Sequence, residues 1–228
     1  MSWISRIVWT EGMFLRPQHF QQQERFLEHL IQGRCADLTP FGWGYTHLKL
    51  DRQALALGRL VIESCRGVLP DGTPFDIPND DAPPAPLEIP ADQKGAEVYL
   101  ALPLSRSGTN QVRYAEQEAA GLERYVVDEV EARDSVAGFV NNATLQVARP
   151  AVRLLIGGDE LKEFAHLGVA RIVERRSDDM LLLDEEFIPP SLDCQVSARL
   201  SGYLHEIEGL LHHRADALAS RLVEGGKG

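Results

Sequence analysis

The side chains best suited to chemistry in this 228-residue sequence are its seven histidines and its clustered carboxylates. His212 and His213 are adjacent, so on a helix they point about 100° apart and do not share a metal ion. His205 and His212 are separated by two helical turns, which is too far for a common ion. His19 begins a predicted helix, where a structural hydrogen bond is favoured over catalysis.

The carboxylate clusters lie in loop-like contexts, at Asp80 and Asp81, at Asp178 and Asp179, and at Asp184, Glu185 and Glu186. None has the alternating spacing of a calcium loop, so we interpret them as solvated surface. Asp184 is the exception. It lies at the junction between two predicted domains, where its carboxylate is placed to accept backbone N–H groups and fix the hinge. Residues 224–228 resemble a phosphate loop only superficially, because the preceding strand and the following Ser or Thr are missing.

These patterns favour a protein that is not an enzyme, and we predict no catalytic, cofactor-binding or metal-binding residues. Cys35, Cys65 and Cys194 are far apart and odd in number, which indicates reduced thiols in a cytoplasmic protein. The net charge of −11 disfavours nucleic acid and anionic membranes as partners. No apolar run approaches the roughly 18 residues that span a bilayer, and no signal peptide is recognisable, so we expect no direct membrane insertion.

An apolar arm that leads into a helix is the stretch best suited to bind a partner. The arm crowds four large apolar side chains into seven positions: Trp9, Met13, Phe14 and Leu15. Pro17 suits the first turn of a helix, and Gly33 predicts its end after about four turns. The apolar residues of the helix follow helical spacing: Phe20, Phe26, Leu27, Leu30 and Ile31. Composition favours burial of the arm in the protein's own core, with docking on a partner as the alternative.

The middle of the chain has the pattern of short strands separated by turns. Strand-like runs occupy residues 42–50, 55–65 (with a bulge or turn at Gly58), 98–104, 124–132, 144–149, 152–157, 169–174 and 180–183. Residues 79–90 and 105–121 are predicted loops, and residues 161–167 are predicted as a short helical turn or coil. Trp43 and Tyr45 face inward, and Pro103 marks an edge or an end of its strand. The predicted fold class is therefore mainly β, an antiparallel β-sandwich with an N-terminal helix.

Past Pro189 and Pro190 the period becomes helical, with Ser191 or Asp193 placed to cap a helix. A broad apolar stripe follows: Leu200, Tyr203, Leu204, Ile207, Leu210, Leu211, Leu218 and Leu222. Continuous to Glu224, this helix is about 48 Å long, and its two glycines weaken it by about 1 kcal/mol each. Because it is too long for a small sandwich, we expect other helices to cover it, from other subunits or from chain beyond Gly228.

We therefore expect three parts: residues 1–35 as arm and helix, 36–188 as the sandwich, and 189–228 as the first helix of a truncated helical bundle. Six stretches are similar, in order and spacing, to the TssK family (ImpJ- or VasE-like) of bacterial type VI secretion baseplates. They are WTEGMFLRPQHFQQQ from Trp9, FGWGYTHLKLD from Phe41, GVLPDGTPFDIP from Gly67, VYLALPL from Val98, Arg124-Tyr125, and LLDEEFIPPSLDC from Leu182. Family members are roughly twice this length, so the chain resembles their N-terminal half.

The resemblance implies a homotrimeric structural adapter whose sandwich is similar to the shoulder domain of phage receptor-binding proteins. Its N-terminal part would dock on the TssF–TssG wedge, and the C-terminal domain, absent here, would reach TssL and TssM at the cytoplasmic face of the inner membrane. The implied wedge contacts are Trp9, Met13, Phe14, Leu15, His19 and Phe20. The implied oligomerisation residues are Leu200, Leu204, Ile207, Leu211 and Leu218. The alternative is a glycan- or receptor-binding sandwich of phage-tail ancestry that uses Trp43 and Tyr45, although their alternation within a strand favours the core.

Overall fold

The structure, a computed structural model, describes residues 4–114, 116–117, 122–136 and 142–225, and of residues 159 and 222–225 the backbone alone. Its elements are α1 (Pro17–Leu38), β1 (Gly44–Leu50), α2 (Arg52–Leu55), β2 (Arg59–Leu60), β3 (Ile62–Val68), β4 (Pro74–Ile77), β5 (Leu87–Glu88), β6 (Glu97–Pro103), β7 (Val112–Arg113), β8 (Tyr125–Arg133), β9 (Asn142–Pro150), β10 (Arg153–Ile156), β11 (Phe164–Arg175), β12 (Leu181–Leu183) and α3 (Ala198–Gly225). Short 3₁₀ helices occupy Asp159–Glu163 and Cys194–Val196.

Two antiparallel sheets share one hydrophobic core. The first has the order β1-β3-β4 and the second the order β10-β6-β11-β12. Their inward side chains, together with Leu60 and Ile89, form one buried cluster. The Tyr45 hydroxyl lies 3.5 Å from the Leu167 carbonyl oxygen, which it reaches from the opposite sheet. The predicted class, mainly β and antiparallel with a helix at each end, is confirmed, and Tyr45 is fully buried as expected.

The strand-like run predicted over residues 55–65 is divided in two at Gly58, where the predicted bulge or turn is confirmed as a turn, and Leu55 belongs to a helix instead. Leu55 ends α2, whose first turn is capped by the Asp51 carboxylate through the N–H groups of Gln53 and Ala54. Gly58 then adopts φ +73°, a conformation that favours glycine, and two separate strands follow.

Three other predicted segments and the predicted edge position of Pro103 also differ, at least in part, from the structure. Residues 79–90 contain β5, which pairs with β2, so this stretch is only partly a loop. Residues 164–167 begin β11, where Phe164 and Leu167 are buried, so they are not helix or coil. Pro103 ends β6 as predicted, but β6 lies between β10 and β11 and is no edge. The predicted loop over residues 105–121 holds β7, which pairs in parallel with β8.

The β8–β9 hairpin stands apart from the two-sheet core. Its ladder runs without a register shift from Tyr125 opposite Pro150 to Arg133 opposite Asn142. Within the described part of the chain, the core cluster takes no side chain from β7, β8 or β9. The predicted strands in this region are confirmed, and they form a projection from the sandwich.

We expect Leu100→Ala to lower the free energy of unfolding by about 2–5 kcal/mol, because Leu100 is fully buried in the central strand β6. Leu182→Ala is the matched control, since Leu182 is 36% exposed on β12, and it should cost less than about 1 kcal/mol. Urea unfolding followed by circular dichroism measures both, and equal losses would contradict the assigned core.

Candidate docking surfaces

Helix α1 has its apolar stripe on the outside. Phe20, Leu27 and Ile31 are 58%, 44% and 61% exposed, and every residue of this fully described helix is at least partly exposed. The burial in the protein's own core that composition favours for residues 9–20 is therefore wrong for Phe20. Gly33 does not end the helix either, because α1 continues to Leu38.

The inner face of α1 is mostly polar, which explains why its apolar stripe faces outward. The half-buried residues of α1 follow helical spacing and are mostly polar: His19, Gln22, Gln23, Arg25 and Phe26. Gln22 Nε2 donates to the Ser5 carbonyl at 2.7 Å, which holds the arm against the helix. The sequence stripe was recognised correctly, but periodicity does not tell which face of a helix is covered.

The arm itself is largely exposed. Phe14 is 84% exposed, and Trp9 and Leu15 are about half exposed, whereas Met13 and His19 are half-buried. The Trp9 ring lies 6.2 Å from that of His19 and 6.5 Å from that of Phe20, so the arm folds back on α1. All six residues predicted as wedge contacts thus lie in one region, which we call the α1 surface and which also includes Leu27, Leu30 and Ile31.

His19 has the structural role expected of it. Its Nδ1 accepts the backbone N–H of Arg16 at 3.0 Å, which caps α1 directly before Pro17 at the first helical position. This bond satisfies one backbone donor at a helix end, where partners are otherwise lacking.

The α1 surface rests on the turn between β3 and β4. Gln32 Nε2 donates to the Asp71 carbonyl at 2.5 Å. Gly72 has φ +87°, and a Cβ there would lie 3.2 Å from Cγ of Gln32, so glycine suits both the turn and the close approach. The predicted turn at residues 70–72 is therefore also the seat of the helix.

A buried arginine also holds the turn between β3 and β4. Arg124 is 5% exposed and donates to the Asp71 carboxylate at 2.7 Å, to the Thr73 hydroxyl and to the Pro103 carbonyl. Burial lowers the pKa of Arg124, but the Asp71 carboxylate and the Tyr125 hydroxyl together raise it above its usual value, so the guanidinium stays charged. A lone arginine before a strand gives no sequence signal for this role, and the sequence analysis missed it.

The second exposed apolar surface is a stripe on α3. Tyr203, Leu204, Ile207, Leu210, Leu211 and Leu218 are each between 43% and 63% exposed, and Leu200 is half-buried. Leu204, Leu211 and Leu218 recur every seven residues, with Ile207 three residues after the first, which is the spacing of a coiled-coil seam. We call these four residues and Leu200 the α3 seam. The Leu222 side chain and residues 226–228 lie outside the described residues.

Neither residue predicted to cap α3 does so. The Asp193 carboxylate accepts the Gln195 N–H at 2.8 Å and caps the short 3₁₀ helix instead. Ser191 forms a parallel bridge to Tyr45 of β1. The long helix begins later, after the buried Ser197, whose carbonyl accepts the Ser201 N–H.

The junction before α3 is built from charged and backbone contacts. Asp184 accepts the Glu186 N–H at 2.9 Å, as predicted for its carboxylate, and pairs with Arg171 at 3.1 Å. Arg171 also pairs with Glu97 and lies over the Phe187 ring. Hydrogen bonds from Tyr99 and Arg171 hold the pKa of Glu97 below its usual range.

Strand β1 binds the segment at residues 190–192, which precedes α3. The Tyr45 N–H donates to the Pro190 carbonyl and the Leu192 N–H donates to the Tyr45 carbonyl, both at 2.8 Å. A Cβ at Gly44 would lie 2.8 Å from the Pro190 oxygen, so only glycine permits this approach. The direction in which α3 leaves the sandwich is therefore set by the sandwich itself.

No catalytic arrangement appears among the described residues. They contain no group of three side chains placed to hold a metal ion, and their three cysteines are free thiols. Burial raises the pKa of Cys65 to about 12, which keeps its thiol protonated. Tyr45 is 0% exposed, so it is not accessible to a glycan as the alternative function requires. Trp43 lies at the edge of an open groove of about 410 Å³. In the described part of the chain, neither long helix is apolar enough to cross a bilayer.

Comparison with known proteins identifies relatives of the whole chain. A family model described as bacterial type VI secretion, VC_A0110, EvfL, ImpJ, VasE matches residues 19–228. The type VI secretion system baseplate component TssK1 of Pseudomonas aeruginosa is 50% identical over 228 residues, which is all of this chain and 51% of that protein.

Solved structures give the same relationship. A crystal structure of TssK matches with a TM-score of 0.87 and 38% identity, over 96% of this chain and 50% of that chain. A chain of the TssK-TssF-TssG baseplate subcomplex, solved by cryo-electron microscopy, matches with a TM-score of 0.84 and 27% identity, over 95% and 72% of the two chains. The chain thus spans about half the length of TssK1 and of the crystallised TssK.

We expect Arg124→Met to lower the free energy of unfolding by about 3 kcal/mol, because it leaves the Asp71 carboxylate unpaired in a mostly buried position. Adding Asp71→Asn should recover part of that loss. Arg59→Met, which removes an exposed pair with Glu88, is the control and should cost less than about 1 kcal/mol. Similar losses for the two arginines in urea unfolding would rule out the role given to Arg124.

Proposed function

Because this chain belongs to the bacterial type VI secretion family of EvfL, ImpJ and VasE, we propose that it is the baseplate-binding half of a TssK-like structural adapter. It has no catalytic task in this proposal. Its partners are the TssF–TssG wedge, bound through the α1 surface, and two further copies of itself, held through the α3 seam. The remaining half of such a protein would reach TssL and TssM, which places the assembly at the cytoplasmic face of the inner membrane.

The observation that carries this proposal is the outward apolar stripe of α1. Burying a large apolar side chain is favourable by about 1.5–3 kcal/mol, so an exposed patch of this kind favours a binding partner that covers it. Phe14, Phe20 and Trp9 supply the aromatic anchors that usually dominate the affinity of an interface. His19 also caps the helix, and Met13 is half-buried.

The α1 surface is also formed before any partner binds. The arm is tied to α1 through Gln22 and Ser5, and the helix is tied to the sandwich through Gln32 and Asp71. A surface that is already ordered loses little conformational entropy on binding. A relative of this chain has been solved in a complex with TssF and TssG, which supports that wedge as the occupant.

The α3 seam supports the homotrimer. Leu200, Leu204, Ile207, Leu211 and Leu218 lie along a helix whose direction is fixed by the junction contacts of Asp184 and Tyr45. Three copies that leave their sandwiches in the same direction can bring these side chains together around one axis.

We expect Phe14→Asp to weaken capture by purified TssF–TssG about 30-fold, which corresponds to the loss of one hot-spot residue of about 2 kcal/mol. The fold should be unaffected, because Phe14 is 84% exposed. Leu57→Asp is the matched control, since Leu57 is a 67% exposed apolar residue on the turn after α2 and should leave capture unchanged. If the Phe14→Asp variant is captured as well as the wild-type chain, or if it unfolds, the proposed wedge contact is refuted.

We expect multi-angle light scattering of the wild-type chain to give three times its 25.3 kDa mass. The double variant Leu204→Glu, Ile207→Glu should give the single mass, because charges in an apolar seam repel and remain hydrated. His213→Glu, on the opposite side of α3, should keep the threefold mass. A wild-type chain of 25.3 kDa at every concentration would refute the seam.

A further inference from the structure

The β8–β9 hairpin is amphipathic although it projects from the core. Opposed residues of an antiparallel pair share a face, and successive residues alternate between faces. One face is polar and places Glu129 opposite Gln146 and Glu131 opposite Thr144. The other face is mostly apolar: Val126, Val130, Ala132, Ala143, Leu145 and Val147. Leu145, at its centre, is 49% exposed.

A two-stranded hairpin is marginally stable in water unless a third strand or another element covers it. Strand β7 pairs only with Tyr125 and Val126, at the base of β8. The rest of β8, residues 127–133, therefore has a strand edge without a partner among the described residues, and so does the outer side of β9.

The outer edge of β9 lacks the usual protections against pairing. Proteins blunt free edges with charges, prolines or bulges. Residues 142–148 have no charged residue and no proline, and their ladder has no register shift. This edge is therefore built to accept another strand.

The side chains of the hairpin indicate which strand that is. Those of β9 donate to the carboxylates of β8: Arg149 to Asp128 at 2.5 Å, Gln146 to Glu129 at 3.4 Å, and Asn142 to Glu131 at 3.4 Å. A β9 strand from a second copy would offer the same donors to the free edge of β8. Two β8 strands would instead set carboxylates opposite carboxylates, which is unfavourable.

We propose that β9 of one copy pairs with the free edge of β8 of the next copy, so that the hairpins form a ring and cover each other's apolar faces. Such a contact joins two different patches and closes only in a cyclic assembly. The inference rests on the homotrimer proposed above and adds a second contact to it, separate from the α3 seam.

A pair of neighbouring substitutions on β9 tests the covered face. Leu145→Lys places a charge on the apolar face and should raise the dissociation constant of the oligomer at least tenfold. Thr144→Lys places the same charge on the polar face and should change that constant less than twofold. Light scattering over a dilution series measures both, and equal effects, or a wild-type chain that is monomeric throughout, would overturn the hairpin contact.

Disulfide trapping tests the head-to-tail pairing. In a Cys35→Ser, Cys194→Ser background, Glu129→Cys is co-expressed with Thr144→Cys, Gln146→Cys or Ala148→Cys, each with its own tag. After mild oxidation, at least one β9 variant should crosslink to Glu129→Cys of another chain, and mass spectrometry identifies the pair. Crosslinks between two β9 variants alone, or none at any of the three positions, would refute the pairing.

The two proposals fail in different ways. If Leu145→Lys keeps the threefold mass, the hairpin contact is refuted while the α3 seam stands. If Phe14→Asp keeps its capture by TssF–TssG while the hairpin crosslinks form, the wedge contact is refuted while the ring stands.

Discussion

A buried positive charge is the constraint on which the rest of the molecule depends. The Arg124 side chain is 5% exposed. Its charge must be paired, because an unpaired charge in a buried position costs several kcal/mol. Its partners come from three parts of the chain: the Asp71 and Thr73 turn, the end of β6 at Pro103, and the Tyr125 hydroxyl at the base of the hairpin. The same turn also holds α1, because Gln32 of the helix donates a hydrogen bond to the Asp71 carbonyl. One guanidinium therefore sets the relative positions of the sandwich, the hairpin and the α1 surface.

The fold separates the residues that stabilise it from those that are free to bind. Side chains such as Tyr45, Leu100 and Leu167 form one core between two sheets, and within the described residues that core takes no side chain from α1, α3 or the β8–β9 hairpin. The three projecting elements keep apolar side chains in solvent instead. Exposed apolar surfaces of this kind are typical of interaction sites, which suits the adapter proposed above.

The sequence was informative where the residue pattern alone decides the structure. Alternation placed Tyr45 inward, turn chemistry located residues 70–72, and the position of Asp184 before the predicted helix indicated a carboxylate that accepts a backbone N–H. Periodicity failed where the answer lies across space. It grouped Phe20, Leu27 and Ile31 correctly but not the side they face, because a polar inner face and a short arm replace the expected core contact. Gly33 and Phe164 were misassigned for a related reason: local propensity is overridden by helix continuation in one case and by pairing with β6 in the other.

The contact between Tyr45 and the segment at Pro190 and Leu192 has a mechanical consequence. Helix α1 enters β1 after a short link, and α3 begins a short distance after the segment that bonds to the same strand. Strand β1 and the segment at residues 190–192 run in parallel, with α1 before the start of the strand and α3 after the end of the segment. In the proposed assembly, a force between the partner of α1 and the copies joined through α3 would therefore load the hydrogen bonds at Tyr45 in shear, along the direction of the strand.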